Sequence, residues 1–269
     1  MKKGSLVVVG SGILTPAHLS QESIGQIKAA DVVYLLIPDA LGFSTIKKLN
    51  SNIKNLAELY YDPKTEKNGT NRLESYDLMV ESILFDVRKG LKVCAIFYGH
   101  PGVFVYPSHV CIKKAVKEGY KAKMLPAISA EDCLFADLGI DPGDYGCQAY
   151  EASQYLFYKH KLNTSAALIL WQIGVAGDVT LKKLTPYQAG LSMLKEKLSK
   201  HYPLSHIVTL YEASRLPIMP PRIETTSIGS LNDSKVNTMT TLYVPPLQDP
   251  ELDSRFCDKW NIDTKQLML

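Results

Sequence analysis

Five cysteines (Cys94, Cys111, Cys133, Cys147 and Cys257) are spread over 269 residues, an odd number with no Cys-x-x-Cys pair. That scarcity excludes a disulfide framework and a structural zinc site, and it predicts reduced core or surface thiols. Long apolar runs are also missing. The opening stretch Met1-Lys-Lys-Gly-Ser-Leu-Val-Val-Val-Gly10 superficially resembles a signal peptide, but its run is short, stops at a glycine turn and has no small-residue cleavage pattern. It reads as a first strand. No later segment is long enough to cross a bilayer, so a cytoplasmic location without a membrane partner is expected. Neither sign of charge dominates: the formal net charge is +3 and the lysines form no basic arm, so nucleic acid is not an expected partner. His18, His109, His160, His201 and His206 lack ligand spacing and read as solvated or capping residues, and no metal is expected. Nucleophile-elbow, Walker-type and zinc-deaminase signatures are absent as well.

What remains is an ordinary globular composition, 46% apolar and 21% charged, long enough to bury a sizeable core. Apolar runs at 6–9, 32–37, 93–97, 122–125, 166–173, 207–212 and 239–244 read as strands, several too continuously apolar to have a wet face. Residues 20–30, 76–89, 106–118, 129–138 and 186–201 show helical spacing. The first half alternates strand and helix, which predicts a mainly parallel sheet. After about residue 145 the strands crowd together. The expected organisation is an α/β domain over 1–125, a second α/β domain over 126–246, and a docking extension over 247–269.

Four segments follow predicted strands, where α/β proteins bind ligands. Val7-Val-Val-Gly-Ser-Gly-Ile-Leu-Thr15 is a partial dinucleotide fingerprint with Thr in place of the third glycine. Asp39 after the second strand reads either as a ribose ligand or as a turn residue. The strand at 93–97 breaks at Tyr98-Gly-His-Pro-Gly-Val-Phe104. After the strand at 122–125 comes Pro126-Ala-Ile-Ser-Ala130, where Ser129 is an N-cap with Asp132 at the third helical position, and backbone N–H groups there are expected to face a ligand.

Taken together, the glycine turn at 10–12, the Tyr98–Gly102 loop and the Pro126–Ala130 loop resemble the tetrapyrrole methylase superfamily, over residues 5 to about 246. Its members bind S-adenosyl-L-methionine between two α/β domains and release S-adenosyl-L-homocysteine. His100 replaces the commoner acid of that loop, and this variant resembles the borosin peptide-backbone N-methyltransferases. Asp137-Leu-Gly-Ile-Asp-Pro-Gly143, Leu170-Trp-Gln-Ile173 and Tyr211-Glu-Ala213 fit the same subfamily. Ala127 stands where the family usually has glycine. The resemblance implies a two-domain tetrapyrrole-methylase-like fold with the cofactor cleft between the domains. It also implies cofactor contacts from Gly10, Gly12, Tyr98, His100, Val103, Phe104, Ser129, Ala130, Gln172, Tyr211, Ala213, Thr240 and Thr241.

A second constellation joins Tyr60-Tyr-Asp-Pro63 to Asn71-Arg-Leu-Glu-Ser-Tyr76. Arg72 and Tyr76 lie four apart, on one helix face. Such a pair is usually a solvated rim contact, but borosin enzymes carry a matching Tyr/Arg/Tyr set, which implies catalytic roles for Tyr60, Arg72, Tyr76 and Tyr98. The chemistry suits that role. An amide nitrogen is a poor nucleophile because its lone pair is delocalised, so the acceptor must become imidate-like. Ionising a tyrosine at neutral pH costs roughly 4 kcal/mol, which a neighbouring cation lowers. Either Tyr76 or Tyr60 is then the base, with Arg72 as the cation and Tyr98 positioning the acceptor.

Fungal borosin enzymes carry their own hydrophobic core peptide. Residues 247–269 are charged and hold no run of Val, Ile or Gly. The expectation is therefore a separate precursor methylated in trans, by a homodimer that forms a heterotetramer with its precursor. Carbon methylation of a tetrapyrrole, ribose methylation of ribosomal RNA, and a non-catalytic binding protein are the competing readings.

Overall fold

The computed structural model describes residues 4–62, 67–182 and 185–267; Pro63 of the second constellation lies outside them. The chain divides into two compact units. The first comprises Met1–Leu134 with Thr180–Lys182 and Ala213–Pro221, the second Phe135–Val179, Lys183–Glu212 and Arg222–Leu269. The division thus falls after Leu134, whereas the sequence reading placed it after Leu125. Residues of the expected extension lie with the second unit: Leu247 N–H donates to the Thr164 carbonyl at 2.8 Å, and Cys257 is buried.

In the first unit the order is β1 (Ser5–Gly10), α1 (Gln21–Ala29), β2 (Val32–Leu36), α2 (Ala40–Leu49), β3 (Ile53–Asn55), α3 (Arg72–Arg88), β4 (Lys92–Phe97), α4 (Tyr106–Lys117), β5 (Lys121–Met124) and α5 (Ala130–Leu138), the last of which runs into the second unit. The strands form one parallel sheet ordered β3-β2-β4-β1-β5. Alternation along each strand feeds two cores. Leu6, Val8, Tyr34, Val93, Ala95 and Phe97 pack with Met79, Val80, Ile83 and Leu84 of α3, while Val9, Val33, Leu35, Cys94 and Ile96 pack with Ile27 of α1 and Ile46 of α2.

In the second unit come α6 (Pro142–Tyr145), β6 (Cys147–Glu151), α7 (Ala152–Phe157), β7 (Ala167–Trp171), α8 (Gln188–Leu198), β8 (Ile207–Glu212), β9 (Arg222–Ser227), β10 (Thr241–Val244) and α9 (Ser254–Lys259). The sheet is ordered β6-β7-β10-β8-β9; only β6 and β7 run parallel. Its core gathers Leu168, Leu170, Leu191, Leu194, Leu210 and Leu242.

Each predicted strand and helix exists, with ends shifted by a residue or a few. The structure adds α2, α6, α7 and α9, and the strands β3, β6 and β9. Those three strands are all sheet edges. An edge strand pairs on one side and stays half wet, so β9, Arg-Ile-Glu-Thr-Thr-Ser, carries no apolar run to announce it. The strands predicted to span 166–173 and 239–244 are shorter than expected, because Gln172 turns left-handed (φ 59°) and Thr240 closes a turn onto the Asn237 carbonyl.

Candidate functional site

In the first unit, the predicted loops sit where parallel strands end. Gly99 N–H donates to the Gly12 carbonyl at 3.0 Å and Gly12 N–H returns the bond at 3.2 Å, so the glycine turn and the Tyr98–Gly102 loop are zipped together. A Cβ at Gly10 would lie 2.1 Å from the Gly99 carbonyl oxygen, and one at Gly12, in left-handed φ, would meet the His18 side chain. The two glycines therefore allow strand-end loops to touch; the Gly12 N–H is committed to protein and does not face a phosphate. Asp39 is the N-cap of α2, accepting from Gly42 N–H at 2.5 Å, which is the turn role of its two readings.

The Tyr98–Phe104 loop is tied at every step. His100 Nδ1 accepts from Gly102 N–H at 2.9 Å, Val103 N–H donates to the His100 carbonyl at 3.1 Å, and Ser108 Oγ holds the Pro101 carbonyl from the first turn of α4. This pinned loop presents Val103 and Phe104 outward, Phe104 54% exposed and in left-handed φ of 55°. Tyr98 is half-buried. Burial pushes its phenol up to about 12, the Arg215 cation opposes this, and Cys133 and Asp39 add to it.

At the next loop Ser129 is buried and caps α5. Its Oγ accepts from the N–H groups of Glu131 and Asp132, while its own N–H and Oγ donate to Asp132 Oδ2 at 2.6 and 2.7 Å. The expectation of ligand-facing N–H groups is thus corrected at Ser129, whose N–H is satisfied by Asp132. Ala130 beside it is half-buried. Ala213 is also half-buried and lies with this unit, in the segment that carries Arg215.

Tyr60 and Tyr76 meet. Their hydroxyls are 3.0 Å apart and their rings pack edge-on at 82°. Asn71 caps α3 by accepting from Leu73 and Glu74 N–H, and the Glu74 carboxylate reaches back to Thr70 N–H at 2.8 Å, so Arg72 and Tyr76 begin the helix one turn apart. Arg72 Nε donates to the Leu181 carbonyl at 3.1 Å. Burial raises the Tyr76 phenol, the adjoining Tyr60 hydroxyl raises it further, and the Arg72 cation acts against both without overcoming them. The expected stabilisation by Arg72 has the right sign and is outweighed.

In the second unit, Gln172 is exposed at the end of β7, and Thr241 faces Tyr211 across the β10–β8 pair. Tyr211 is buried and donates to Asp137 Oδ2 at 2.7 Å. Thr240 is buried and its carbonyl accepts from Ile173 N–H at 3.0 Å, which brings Gln172 and Thr240 to the same strand end.

Backbone strain marks the same places. Among the described residues the non-glycine positions with left-handed φ are Asn68, Phe104, Gln172, Leu181 and Asn261. Phe104 and Gln172 are predicted cofactor residues, Leu181 accepts from Arg72, and Asn68 Nδ2 donates to the Glu58 and Tyr60 carbonyls at 2.8 and 3.1 Å. Such strain persists where surrounding structure over-determines it, most often at functional sites. Sequence reasoning missed Asn68 and Leu181; the Asn68-Gly69 dipeptide, a turn signal, was the available clue for the first. Among the described residues no helix is long and apolar enough to cross a membrane, and no His/Cys/Asp/Glu group is arranged to hold a metal.

Comparison with known proteins bears directly on this geometry. The family model described as Tetrapyrrole (Corrin/Porphyrin) Methylases matches residues 5–216. A methyltransferase/ribosomally synthesized cyclic peptide gymnopeptides precursor from Gymnopus fusipes is 42% identical, covering 93% of this chain and 60% of its own length. A methyltransferase/ribosomally synthesized type I borosin cyclic peptide precursor from Coprinopsis marcescibilis is 40% identical, over 91% of this chain and 63% of its own length. The chain thus spans about three fifths of the curated relatives it matches. Among solved structures, uroporphyrin-III-C-methyltransferase from Thermus thermophilus superposes with a TM-score of 0.62 at 15% identity, over 94% of this chain and 99% of its own. That likeness is one of fold.

Proposed function

The chain belongs to the tetrapyrrole (corrin/porphyrin) methylase family, and from that premise we propose that it transfers methyl groups from S-adenosyl-L-methionine to backbone amide nitrogens of a ribosomally made precursor peptide. The observation that carries this reading is the hydrogen-bonded Tyr60/Tyr76 pair with Arg72 one helical turn before Tyr76. A corrin or ribose acceptor has no use for an amide-activating trio, and the relatives at about 40% identity bear names that join a methyltransferase to a cyclic-peptide precursor.

The residues present fit the cofactor. Val103 and Phe104 offer exposed apolar surface for an adenine on a loop held rigid from behind, and Ala213 is small enough to face it. Ala130, next to the Ser129 cap, and His100 supply polar contacts, while Gln172, Tyr211, Thr240 and Thr241 form the second unit's set. When bound, S-adenosyl-L-methionine supplies an electrophilic methyl group and leaves as S-adenosyl-L-homocysteine.

The tyrosine pair does the proton chemistry. One phenol, ionised, takes the amide proton while the other donates a hydrogen bond to it, and Arg72 offsets the negative charge on phenolate and imidate oxygen. The nitrogen so freed of its proton would be the nucleophile for the methyl group that the bound cofactor supplies, and the phenol returns its proton to solvent before the next cycle. Tyr98, whose phenol stays protonated, positions the acceptor by donating a hydrogen bond. In this reading the precursor is a separate chain, bound by a homodimer in a heterotetramer; Leu247 and Asp249 bond to Thr164 and Ser165 of the second unit, and Cys257 is buried there. Exposed Leu73, Leu78 and Phe85 on α3 support an assembled state.

Co-expression of the chain with small proteins encoded beside it, followed by mass spectrometry, is expected to show successive methyl additions mapping to backbone nitrogens. Unmodified peptides beside a methylated tetrapyrrole would overturn the reading, and cofactor binding with no acceptor methylated would point to a non-catalytic protein.

A further inference from the structure

Glu212, the last residue of β8, is given no role in the reaction above, yet it bonds directly to Thr240, one of the second unit's candidate cofactor residues. Its half-buried carboxylate oxygen Oε1 accepts from Thr240 Oγ1 at 2.7 Å and from Arg222 Nη1 at 2.7 Å. Arg222 is its cross-strand partner at the start of β9, and Arg222 Nη2 also donates to the Lys235 carbonyl and to Glu224 Oε2, each at 2.6 Å. Thr240 Oγ1 in turn accepts from Asn237 N–H at 2.8 Å, and the Thr240 carbonyl takes Ile173 N–H at 3.0 Å. The path therefore runs from Arg222 through Glu212 and Thr240 to Ile173, beside Gln172 in its strained left-handed conformation.

An ion pair of this kind is weak as a stability device, because desolvation cancels much of the attraction and an apolar pair of similar size does as well. What it supplies is a fixed geometry: a charged acceptor sets the direction of the Thr240 hydroxyl, and the Thr240 carbonyl then sets the Gln172–Ile173 turn. We propose that Glu212, held by Arg222 and acting through Thr240, is a positioning residue that shapes the second unit's contacts for S-adenosyl-L-methionine. This rests on the cofactor reading given above.

The test is calorimetric titration of S-adenosyl-L-homocysteine into the full chain and into Glu212→Ala, Glu212→Gln and Arg222→Gln, with hydrogen exchange followed at Ile173. Loss of one charge-assisted bond predicts affinity weakened roughly tenfold in Glu212→Ala. Glu212→Gln keeps an acceptor for Thr240 and should fall between it and wild type. Arg222→Gln keeps the carboxylate and should lose least, and exchange at Ile173 should quicken in the same order. In turnover the KM for the cofactor should rise by a larger factor than kcat falls. Affinities within twofold of wild type in the folded Glu212→Gln and Glu212→Ala proteins would overturn the proposal, as would a loss confined to kcat. A wild-type chain that binds no S-adenosyl-L-homocysteine would instead sink the cofactor reading itself.

Discussion

The two units place candidate residues by different means. In the first, a wholly parallel sheet delivers them on loops past strand ends: Tyr98–Phe104 after β4, Ser129 and Ala130 after β5, with glycines letting those loops interlock. In the second, a mostly antiparallel sheet carries them on the strands, so that Tyr211 and Thr241 face one another by register and Thr240 is set by a polar network. Backbone contact dominates one unit and side-chain bonding the other. A chemical group is thus held either by where the chain can go or by what its neighbours donate, and the two fail differently under mutation.

The largest effect is expected at the tyrosine pair. Tyr76→Phe removes one hydroxyl of the pair and should lower methyl transfer by about 10²–10⁴-fold while S-adenosyl-L-homocysteine still binds; undiminished turnover would remove Tyr76 as the base. Next is the interlocked backbone. Gly10→Ala pushes a Cβ to 2.1 Å from the Gly99 carbonyl and should cost about 3 kcal/mol of stability in denaturant unfolding. Gly25→Ala, where a Cβ meets nothing within 4 Å inside α1, should be neutral or stabilising by about 0.5–1 kcal/mol. Equal effects from the two would break the contrast drawn for the first unit.

In the second unit, Tyr211→Phe deletes the bond to Asp137 and should cost about 1 kcal/mol, the net worth of one hydrogen bond, because Asp137 is exposed and water can replace the lost donor. A change below about 0.5 kcal/mol, the size usual for an unimportant surface site, would show that side-chain bonding does not organise that sheet end.

The smallest expected effect is a pH dependence. The Tyr98 phenol is pushed up to about 12, whereas an unfolded tyrosine titrates near 10. The folded state therefore keeps a proton that the unfolded state releases. Its contribution is fully present below about pH 10 and is lost as pH rises toward 12. Tyr98→Phe should consequently lose less stability than wild type between about pH 10 and 12; identical slopes would argue that Tyr98 is solvated.

Much of this protein was determined by sequence alone. Continuous apolar runs specify β1, β2, β4 and β7, because a strand buried on both faces has to be apolar nearly throughout. The residues at 60, 72, 76 and 98–104 suggest methyl transfer to an amide through their resemblance to the borosin enzymes. Tertiary structure alone decided the edge strands β3, β6 and β9, whose half-wet faces leave little pattern. It alone decided that the Gly12 and Ser129 N–H groups serve protein acceptors. It also decided that burial outweighs Arg72 at Tyr76, and that Glu212 reaches Thr240 across a strand pair. Periodicity reports which face of an element is dry; hydrogen-bond partners and desolvation depend on neighbours far away in the chain, and no local pattern encodes them.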